Sequence, residues 1–201
     1  GASATGKPLI VGGSPSRLSA TGFGVAECVK EVAARLDLSR PVRITIAGYG
    51  NVGRTTAELL ARDPERFTLI GASDVTGGRH SEAGLNLAEL GEAVDSGQGL
   101  AVAACGDAIS RDEALEVPTD ILIPAAIGGV INAGNVDAVQ SQVIVEAANR
   151  PITTAADQVL RDRGIEVVPD ILANAGGVIA SYYEWTQSLQ GLDEISEDTA
   201  D

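Results

Sequence analysis

Aromatic side chains make up only 3% of the 201 residues, and methionine is absent. Hydrophobic residues nevertheless amount to 44%, so a core must consist mainly of valine, isoleucine, leucine and alanine. A chain of this length and apolar content can bury the core of one α/β domain. No apolar run approaches the 18 or so residues that a membrane-spanning helix requires, so no membrane partner is expected.

Export signals and cysteines are also scarce. The opening GASATGKPLIV lacks the basic start and long apolar centre of a secretory signal peptide. Cys28 and Cys105 are the only cysteines, and although they could pair, free thiols are expected in a chain without export features. We therefore expect a cytoplasmic location, and we predict no metal site.

Basic residues are half as numerous as acidic ones. Fourteen lysines and arginines face 28 acids, which gives a net charge of −14 at pH 7, and only Lys7 and Lys30 are lysines. Without a basic stripe to displace counterions, the chain is not expected to bind nucleic acid. Such an acidic surface repels itself at low ionic strength and suits a salt-rich cytoplasm, as in halophiles. An acidic protein from an ordinary cell is the alternative.

What the chain does contain is a strand that runs into a glycine-rich turn and then into a helix. Residues 44–47 are apolar, and GYGNVG follows before the period lengthens to that of a helix. In a dinucleotide-binding fold, Gly48 permits the tight turn, Gly50 lets a diphosphate approach the backbone, and Gly53 lets the helix pack closely. A plain glycine bend is the alternative interpretation.

The residues after this turn favour nucleotide binding. Backbone amides at the helix start, around Asn51 and Val52, would face the anion. The next strand, residues 67–72, ends in Ser73-Asp74, and Asp74 stands 21 positions after Gly53. That is about where the motif requires an acid for the ribose hydroxyls.

The rest of the pattern alternates strands and helices. Further strands are predicted at residues 120–123, 142–146 and 165–168, and helices at residues 20–38, 51–62, 87–94, 132–139, 153–163 and from about 173. Ser19 is expected to cap the first helix, and residues 97–116 have no clear pattern. The order predicts an α/β fold: a Rossmann-like, doubly wound, mostly parallel sheet with helices on both faces.

The last predicted helix carries two adjacent glycines, Gly176 and Gly177, in its first turns. Each costs about 1 kcal/mol relative to alanine within a helix. A closely packed backbone or a flat ligand would explain them.

Five stretches in order along the chain carry a resemblance to a known family. TGKPLIVGGSPSRLSATGFGV, IAGYGNVG, DILIPAA, VEAANRPIT and VVPDILANAGGVIASYYEW resemble the coenzyme-binding, C-terminal domain of glutamate dehydrogenases. The form GGSPSRLSATG is more similar to the glutamate enzymes than to the leucine, phenylalanine and valine dehydrogenases of the same superfamily. The resemblance implies NAD(P)-dependent oxidative deamination of L-glutamate to 2-oxoglutarate and ammonia, and the reverse reaction.

The resemblance also implies roles for individual residues. Thr21 and Asn174 resemble the groups that hold the nicotinamide carboxamide and its ribose, and Asn149 resembles an asparagine at the nicotinamide side. Ala125 and Ala126 look like the wall beside the dinucleotide. Plainer structural roles, in helix starts and turns, are the alternatives.

Two further positions complete the comparison with the family. Ser181 resembles a hydroxyl that meets a substrate carboxylate, and a bond to its own helix backbone is the alternative. Ala147 departs from the family, which more often has glycine there, and this departure would narrow the cofactor's approach.

The family's N-terminal substrate domain, with its active-site lysine and catalytic aspartate, has no counterpart in this sequence. Lys7 precedes proline, Lys30 falls within a predicted helix, and the catalytic residues are therefore unknown. We expect residues 1–191 to form an NAD(P)-binding domain and residues 192–201 an acidic, loose tail. The complete enzyme is expected to be a homo-oligomer, and the chain alone to bind dinucleotide without oxidising glutamate.

The choice of cofactor is balanced between two charges. Asp74 would repel a 2′-phosphate and slightly favours NAD, whereas Arg79 in the same predicted loop could neutralise the phosphate of NADP. His80, in the same loop, is expected in solvent. Three alternatives remain. The chain could be a non-catalytic dinucleotide-sensing module, a leucine, phenylalanine or valine dehydrogenase domain, or a nucleotide-binding fold of another enzyme class, such as a methyltransferase.

Overall fold

A computed structural model of the chain describes residues 4–8, 10, 13–14 and 19–190, so the predicted tail at 192–201 lies outside the described residues. The helices are α1 Ala20–Arg35, α2 Asn51–Leu60, α3 Leu87–Asp95, α4 Thr154–Asp162, α5 Asp170–Ala173 and α6 Ala175–Gln190. The strands are β1 Val42–Ala47, β2 Phe67–Ser73, β3 Gly78–His80, β4 Asp107–Ile109, β5 Thr119–Pro124, β6 Ser141–Val145 and β7 Glu166–Val168.

The strands form one sheet in the order β4-β3-β2-β1-β5-β6-β7. The five strands from β2 to β7 in this order are parallel, whereas β3 and β4 add an antiparallel edge. From β1 the chain continues to β2 on one side, and β5 lies on the other, so the topology switches between β1 and β5. Ligands of open α/β sheets bind outside the carboxyl ends of strands at such a switch.

Helices cover both faces of the sheet, as predicted. In β5, Ile121 and Ile123 join the core under α1, α2 and α3, whereas Leu122 joins a second core with Leu160 of α4. Successive side chains of a strand point to opposite faces, so one buried strand supplies both cores. The prediction of a Rossmann-like α/β fold is confirmed.

The prediction of a helix at residues 132–139 is wrong. This segment forms only a single 3-10 turn, Val136–Ala138. The Asn132 side chain accepts the backbone N–H of Gly134 at 2.9 Å, and the Asn135 side chain accepts that of Asn132 at 2.8 Å. Asparagine side chains that bond nearby backbone groups compete with helix formation, and here they win.

Smaller differences occur at element ends. The side chain of Ser19 makes no capping hydrogen bond to α1, contrary to prediction, and the helix ends at Arg35 rather than near residue 38. The strands β3 and β4 are three residues each, too short to show a period in the sequence. His80 lies in β3 with its side chain only 23% exposed, so the expectation of a solvated histidine was wrong.

The helices α1 and α6 cross at glycines. A Cβ on Gly176 would lie 2.1 Å from the carbonyl oxygen of Ala20, and one on Gly24 would lie 3.4 Å from the backbone nitrogen of Gly176. A packed backbone therefore explains Gly176. This crossing holds the amino ends of α1 and α6 side by side.

Candidate functional site

The glycine turn after β1 lies at the carboxyl edge of the sheet, beside the loop that follows β5. Gly48 has φ +121°, and a Cβ on it would lie 2.6 Å from the backbone of Ala125 and Ala126. A Cβ on Gly53 would lie 2.0 Å from the carbonyl oxygen of Gly48. Neither position has room for a side chain, so both glycines serve the shape of the turn.

Gly50 differs from the other two glycines. Its φ of −82° is one that any residue adopts, and a Cβ placed on it would meet no atom within 4 Å. The turn is anchored from behind, because the backbone N–H groups of Gly48 and Tyr49 both donate to the Ser73 carbonyl at 2.8 Å. A fixed backbone with open space over Gly50 suits close approach by a ligand.

A first cleft of about 400 Å³ opens over this turn, between the loops that follow β1, β2 and β5. It contains five of the predicted site residues: Gly48, Gly50, Asp74, Ala125 and Ala126. It also contains residues whose role the sequence did not suggest, namely Tyr49, Ser73, Val75, Arg111, Ile127 and Val130. Val75 is 90% exposed and Ile127 58% exposed, so the cleft presents apolar surface to solvent.

A second cleft, of about 530 Å³, shares Ala125 and Ala126 with the first. It brings together five more of the predicted residues, from separate parts of the chain: Thr21, Val52, Asn149, Asn174 and Ser181. Together the clefts make a groove along the carboxyl edge, over the point where the topology switches. Asn51 and Gly53 do not line either cleft: Asn51 is exposed at the start of α2, and Gly53 is buried.

Three helices begin at the second cleft. Thr21 of α1, Val52 of α2 and Gly177 of α6 lie in the first turns of their helices, and all three line the cleft. Helix amino ends carry partial positive charge and backbone N–H groups suited to anions. A chain with net charge −14 thus places partial positive charges at this cleft without basic side chains.

Two predicted asparagines contact each other across the second cleft. The Asn174 side-chain amide donates to Asn149 Oδ1 at 2.8 Å and to the Ala147 carbonyl at 3.4 Å. Residues 25 positions apart are therefore locked into one amide pair. Each amide keeps further hydrogen-bonding groups for a ligand.

Ser181 lines the second cleft but uses its proton within α6. Its hydroxyl donates to the Gly177 carbonyl at 2.8 Å, the plainer role considered from sequence. A carboxylate only accepts hydrogen bonds, so Ser181 would have to rotate to meet one. Its role at a substrate carboxylate stays a prediction.

Neither lysine lies at the groove. Lys7 Nζ contacts Ser188 Oγ and lies 3.9 Å from Glu184 on α6, and Lys30 pairs with Glu27 at 2.6 Å on α1. Among the described residues that line the two clefts, the ionisable side chains are Asp74, Tyr49 and Arg111. Burial raises the pKa of Tyr49 to about 12, so this phenol is neutral near pH 7.

The described part of the chain offers neither a membrane-spanning helix nor a cluster of metal ligands. No helix there is long and apolar enough to cross a membrane. No group of three or more His, Cys, Asp or Glu side chains there is placed to hold a metal ion.

The family model for Glutamate/Leucine/Phenylalanine/Valine dehydrogenase matches residues 12–201. The chain belongs to this family. Among curated members, glutamate dehydrogenase A2 of Halobacterium salinarum is 43% identical over 199 residues, which cover 96% of this chain and 47% of that protein. The catabolic NAD-specific glutamate dehydrogenase RocG of Bacillus subtilis is 41% identical over 198 residues, covering 98% and 46%. The NADP-specific glutamate dehydrogenase of Saccharolobus shibatae is 42% identical over 188 residues, covering 93% and 44%.

Solved structures of the same dehydrogenases have this fold. The leucine-bound form of hetero-hexameric glutamate dehydrogenase from Thermus thermophilus superposes with a TM-score of 0.85 at 31% identity. The match covers 98% of this chain and 46% of that one. The chain therefore spans about half the length of the curated and solved relatives that it matches.

Proposed function

We propose that the chain is the C-terminal, coenzyme-binding domain of an NAD(P)-dependent glutamate dehydrogenase, with residues 1–191 as the domain. The observation that carries the proposal is the open space over Gly50, on an anchored turn at the topological switch. The diphosphate lies there, against the amino end of α2. The glutamate specificity rests on the names of the relatives, which are glutamate dehydrogenases.

The first cleft takes the adenosine half of the dinucleotide. Val75 and Ile127 offer exposed apolar surface to the flat adenine ring, whose burial against them is favourable. Asp74 and Arg111 supply opposite charges near the ribose. Ala125 and Ala126, shared by both clefts, form the wall along which the dinucleotide runs.

The second cleft takes the nicotinamide half. The Asn149–Asn174 pair and Thr21 offer amide and hydroxyl groups to the carboxamide and the ribose, and Ser181 lies where a substrate carboxylate would approach. A dinucleotide held here would supply the chemistry of hydride exchange with the α-carbon of the substrate. The domain's own task is to hold the ring in one orientation over this cleft.

The lysine and aspartate of the reaction come from another part of the complete enzyme. Neither lysine of this chain lies at the groove, and the relatives are about twice as long. An apolar stripe on α6, formed by Val178, Tyr182, Trp185 and Leu189, is 41–71% exposed and begins at the second cleft. A row of exposed large apolar side chains on one helix is typical of an interface, and we assign the substrate-binding half of the enzyme to it.

Titration calorimetry of NADH and NADPH against this chain tests the proposal, with S-adenosylmethionine as the alternative adenosine-containing ligand. We expect a single site for a reduced dinucleotide and no heat from S-adenosylmethionine. The chain alone should not reduce NAD or NADP in the presence of L-glutamate. Preference for S-adenosylmethionine would contradict dinucleotide binding, and glutamate oxidation by the chain alone would contradict the assignment of the catalytic groups to another domain.

A further inference from the structure

The carboxylate expected to choose between NAD and NADP is largely occupied within the protein. Asp74 Oδ1 accepts the backbone N–H and the hydroxyl of Thr76 at 2.7 and 2.6 Å, and Oδ2 accepts the backbone N–H of Leu100 at 2.8 Å. A carboxylate has about four acceptor positions, so roughly one remains. Asp74 therefore has little capacity left for a pair of ribose hydroxyls.

Arg79, the other residue suggested by the sequence, is also committed. Its Nε donates to the Leu100 carbonyl at 3.1 Å, and its guanidinium also donates to the carbonyl of Ala101. A Cβ on Gly99 would lie 2.8 Å from Asp74 Oδ2, so the segment is packed closely over the carboxylate. Both charges hold the turn after β2 against residues 99–101, and Arg79 does not line the cleft.

Arg111 is the one cation among the described residues that line the first cleft. Its side chain is 49% exposed, and the ion pair it makes, to Asp112, is 3.8 Å long, which is beyond hydrogen-bond distance. The guanidinium therefore keeps its N–H donors for a ligand. It shares the cleft with Asp74, at the end assigned to adenosine.

The backbone that carries Arg111 is held on both sides. The backbone N–H of Ser110 donates to Glu113 Oε2 at 2.6 Å, and that of Glu113 donates to Ser110 Oγ at 3.1 Å. This reciprocal pair is a capping box, which fixes the chain over residues 110–113. The side chain thus projects from a defined backbone.

We propose that Arg111 binds the 2′-phosphate of NADP. Arg111, rather than Asp74, then determines the affinity of the domain for NADP relative to NAD. The inference rests on the proposed function, because it requires the adenosine ribose to lie in the first cleft. A planar guanidinium binds phosphate through two parallel hydrogen bonds and offsets the charge of the neighbouring carboxylate. The domain then accepts NADP despite the acid at the end of β2.

The test compares NADPH and NADH affinities by titration calorimetry at one ionic strength for the wild-type chain, Arg111→Gln and Arg111→Lys. We expect the ratio of NADPH to NADH affinity to fall at least tenfold in Arg111→Gln and by less in Arg111→Lys, which keeps the charge without the fork. Arg62→Gln is the matched control, because it removes the same charge from an exposed position that lines neither cleft. Its ratio should stay within twofold of the wild type.

Three outcomes would overturn the proposal. Equal losses of NADPH and NADH affinity in Arg111→Gln would make Arg111 a general contributor to the cleft. A wild-type chain that binds NADH but not NADPH would show that Arg111 does not compensate for Asp74. Failure to bind either dinucleotide would remove the proposed function as well, and this pattern differs from the first two.

Discussion

Adding a methyl group to Gly50 or to Gly53, in the turn after β1, should affect different properties of the protein. In Gly50→Ala the methyl meets no protein atom within 4 Å, so we expect an unfolding free energy within about 1 kcal/mol of wild type. The same methyl occupies the space assigned to the diphosphate. NADH affinity should fall at least tenfold in calorimetry.

Gly53→Ala is the matched comparison, since its methyl would lie 2.0 Å from the Gly48 carbonyl oxygen. Overpacking of this kind costs about 1–3 kcal/mol or more, so urea unfolding should shift strongly for Gly53→Ala. Unchanged NADH affinity in a folded Gly50→Ala protein would exclude the diphosphate from the turn.

Glu184 is a fully buried carboxylate that ties the start of the described chain to α6. Its oxygens accept the backbone N–H groups of Gly6 and Lys7 at 2.8 and 3.0 Å. Glu184→Ala leaves these donors without partners, so we expect a loss of about 2–4 kcal/mol in urea unfolding. As a control, Glu92→Gln at an exposed position of α3 should change the free energy of unfolding by less than about 0.5 kcal/mol. An equally small effect of Glu184→Ala would show that its hydrogen bonds to Gly6 and Lys7 do not stabilise the fold.

Tyr49 makes stability depend on alkaline pH. Burial first, and the nearby charge of Glu58 second, raise its pKa from 10.0 to about 12. Between these values the unfolded chain loses the proton while the folded chain keeps it. Stability contributed by Tyr49 is therefore complete below pH 10 and is lost as the pH rises toward 12.

The tyrosine contribution is at most about 2.7 kcal/mol, because each pKa unit corresponds to about 1.36 kcal/mol. Urea unfolding of wild type and Tyr49→Phe at pH 8, 10 and 11 measures it. We expect the wild type to lose stability relative to Tyr49→Phe above pH 10. Parallel curves would contradict a buried, neutral phenol.

Single residues show how far the sequence predicts this site. The sequence indicates twelve positions, and ten of them line the groove, because glycine spacing and the family motifs specify backbone shape directly. Arg111 could not be found this way, since it follows a three-residue antiparallel strand with no readable period. The partners of Asp74 were equally hidden, because Thr76 and Leu100 reach it only after the chain folds back.

At the level of elements, the sequence predicts helices and parallel strands that are buried by a regular apolar pattern. Elements in which side chains compete with the backbone for hydrogen bonds are not predicted, as the turn at Asn132–Asn135 demonstrates. The crossing of α1 and α6 is another case: adjacent glycines in α6 indicated a close approach, but only the structure identifies the α1 backbone as the neighbour.

Gly176→Ala tests that crossing. Its methyl would lie 2.1 Å from the Ala20 carbonyl oxygen, so α6 must shift away from α1. Because Thr21 and Gly177 belong to these helices and line the second cleft, we expect both lower stability, by about 1–3 kcal/mol or more, and weaker NADH binding. Gly164→Ala is unsuitable as a control, because the φ of Gly164 is +73°. Leu189→Ala is the control: Leu189 is exposed on α6, so its substitution should leave stability and NADH affinity nearly unchanged. A Gly176→Ala protein with the stability and NADH affinity of Leu189→Ala would contradict the link between this crossing and the second cleft.

The whole molecule combines a net charge of −14 with a groove suited to an anion. An anion would still bind in this negatively charged protein, because the N–H groups at three helix amino ends contact it directly. The repulsion among surface carboxylates acts over a longer range. It is therefore the part that dissolved salt can screen, and it sets how the fold responds to ionic strength.

Salt should stabilise this domain through charge screening. The Debye length falls from about 10 Å at 0.1 M to about 3 Å at 1 M, so we expect sodium chloride over this range to raise the melting temperature at pH 7.5. The pI of about 4.4 supplies the control: at pH 5 the net charge is much smaller, so the same salt step should raise the melting temperature less. Calorimetric scans at both pH values measure the two increments. Equal increments would assign the effect to general exclusion of salt from the surface, and indifference to salt at pH 7.5 would show that the carboxylates are already spaced widely enough to cost little.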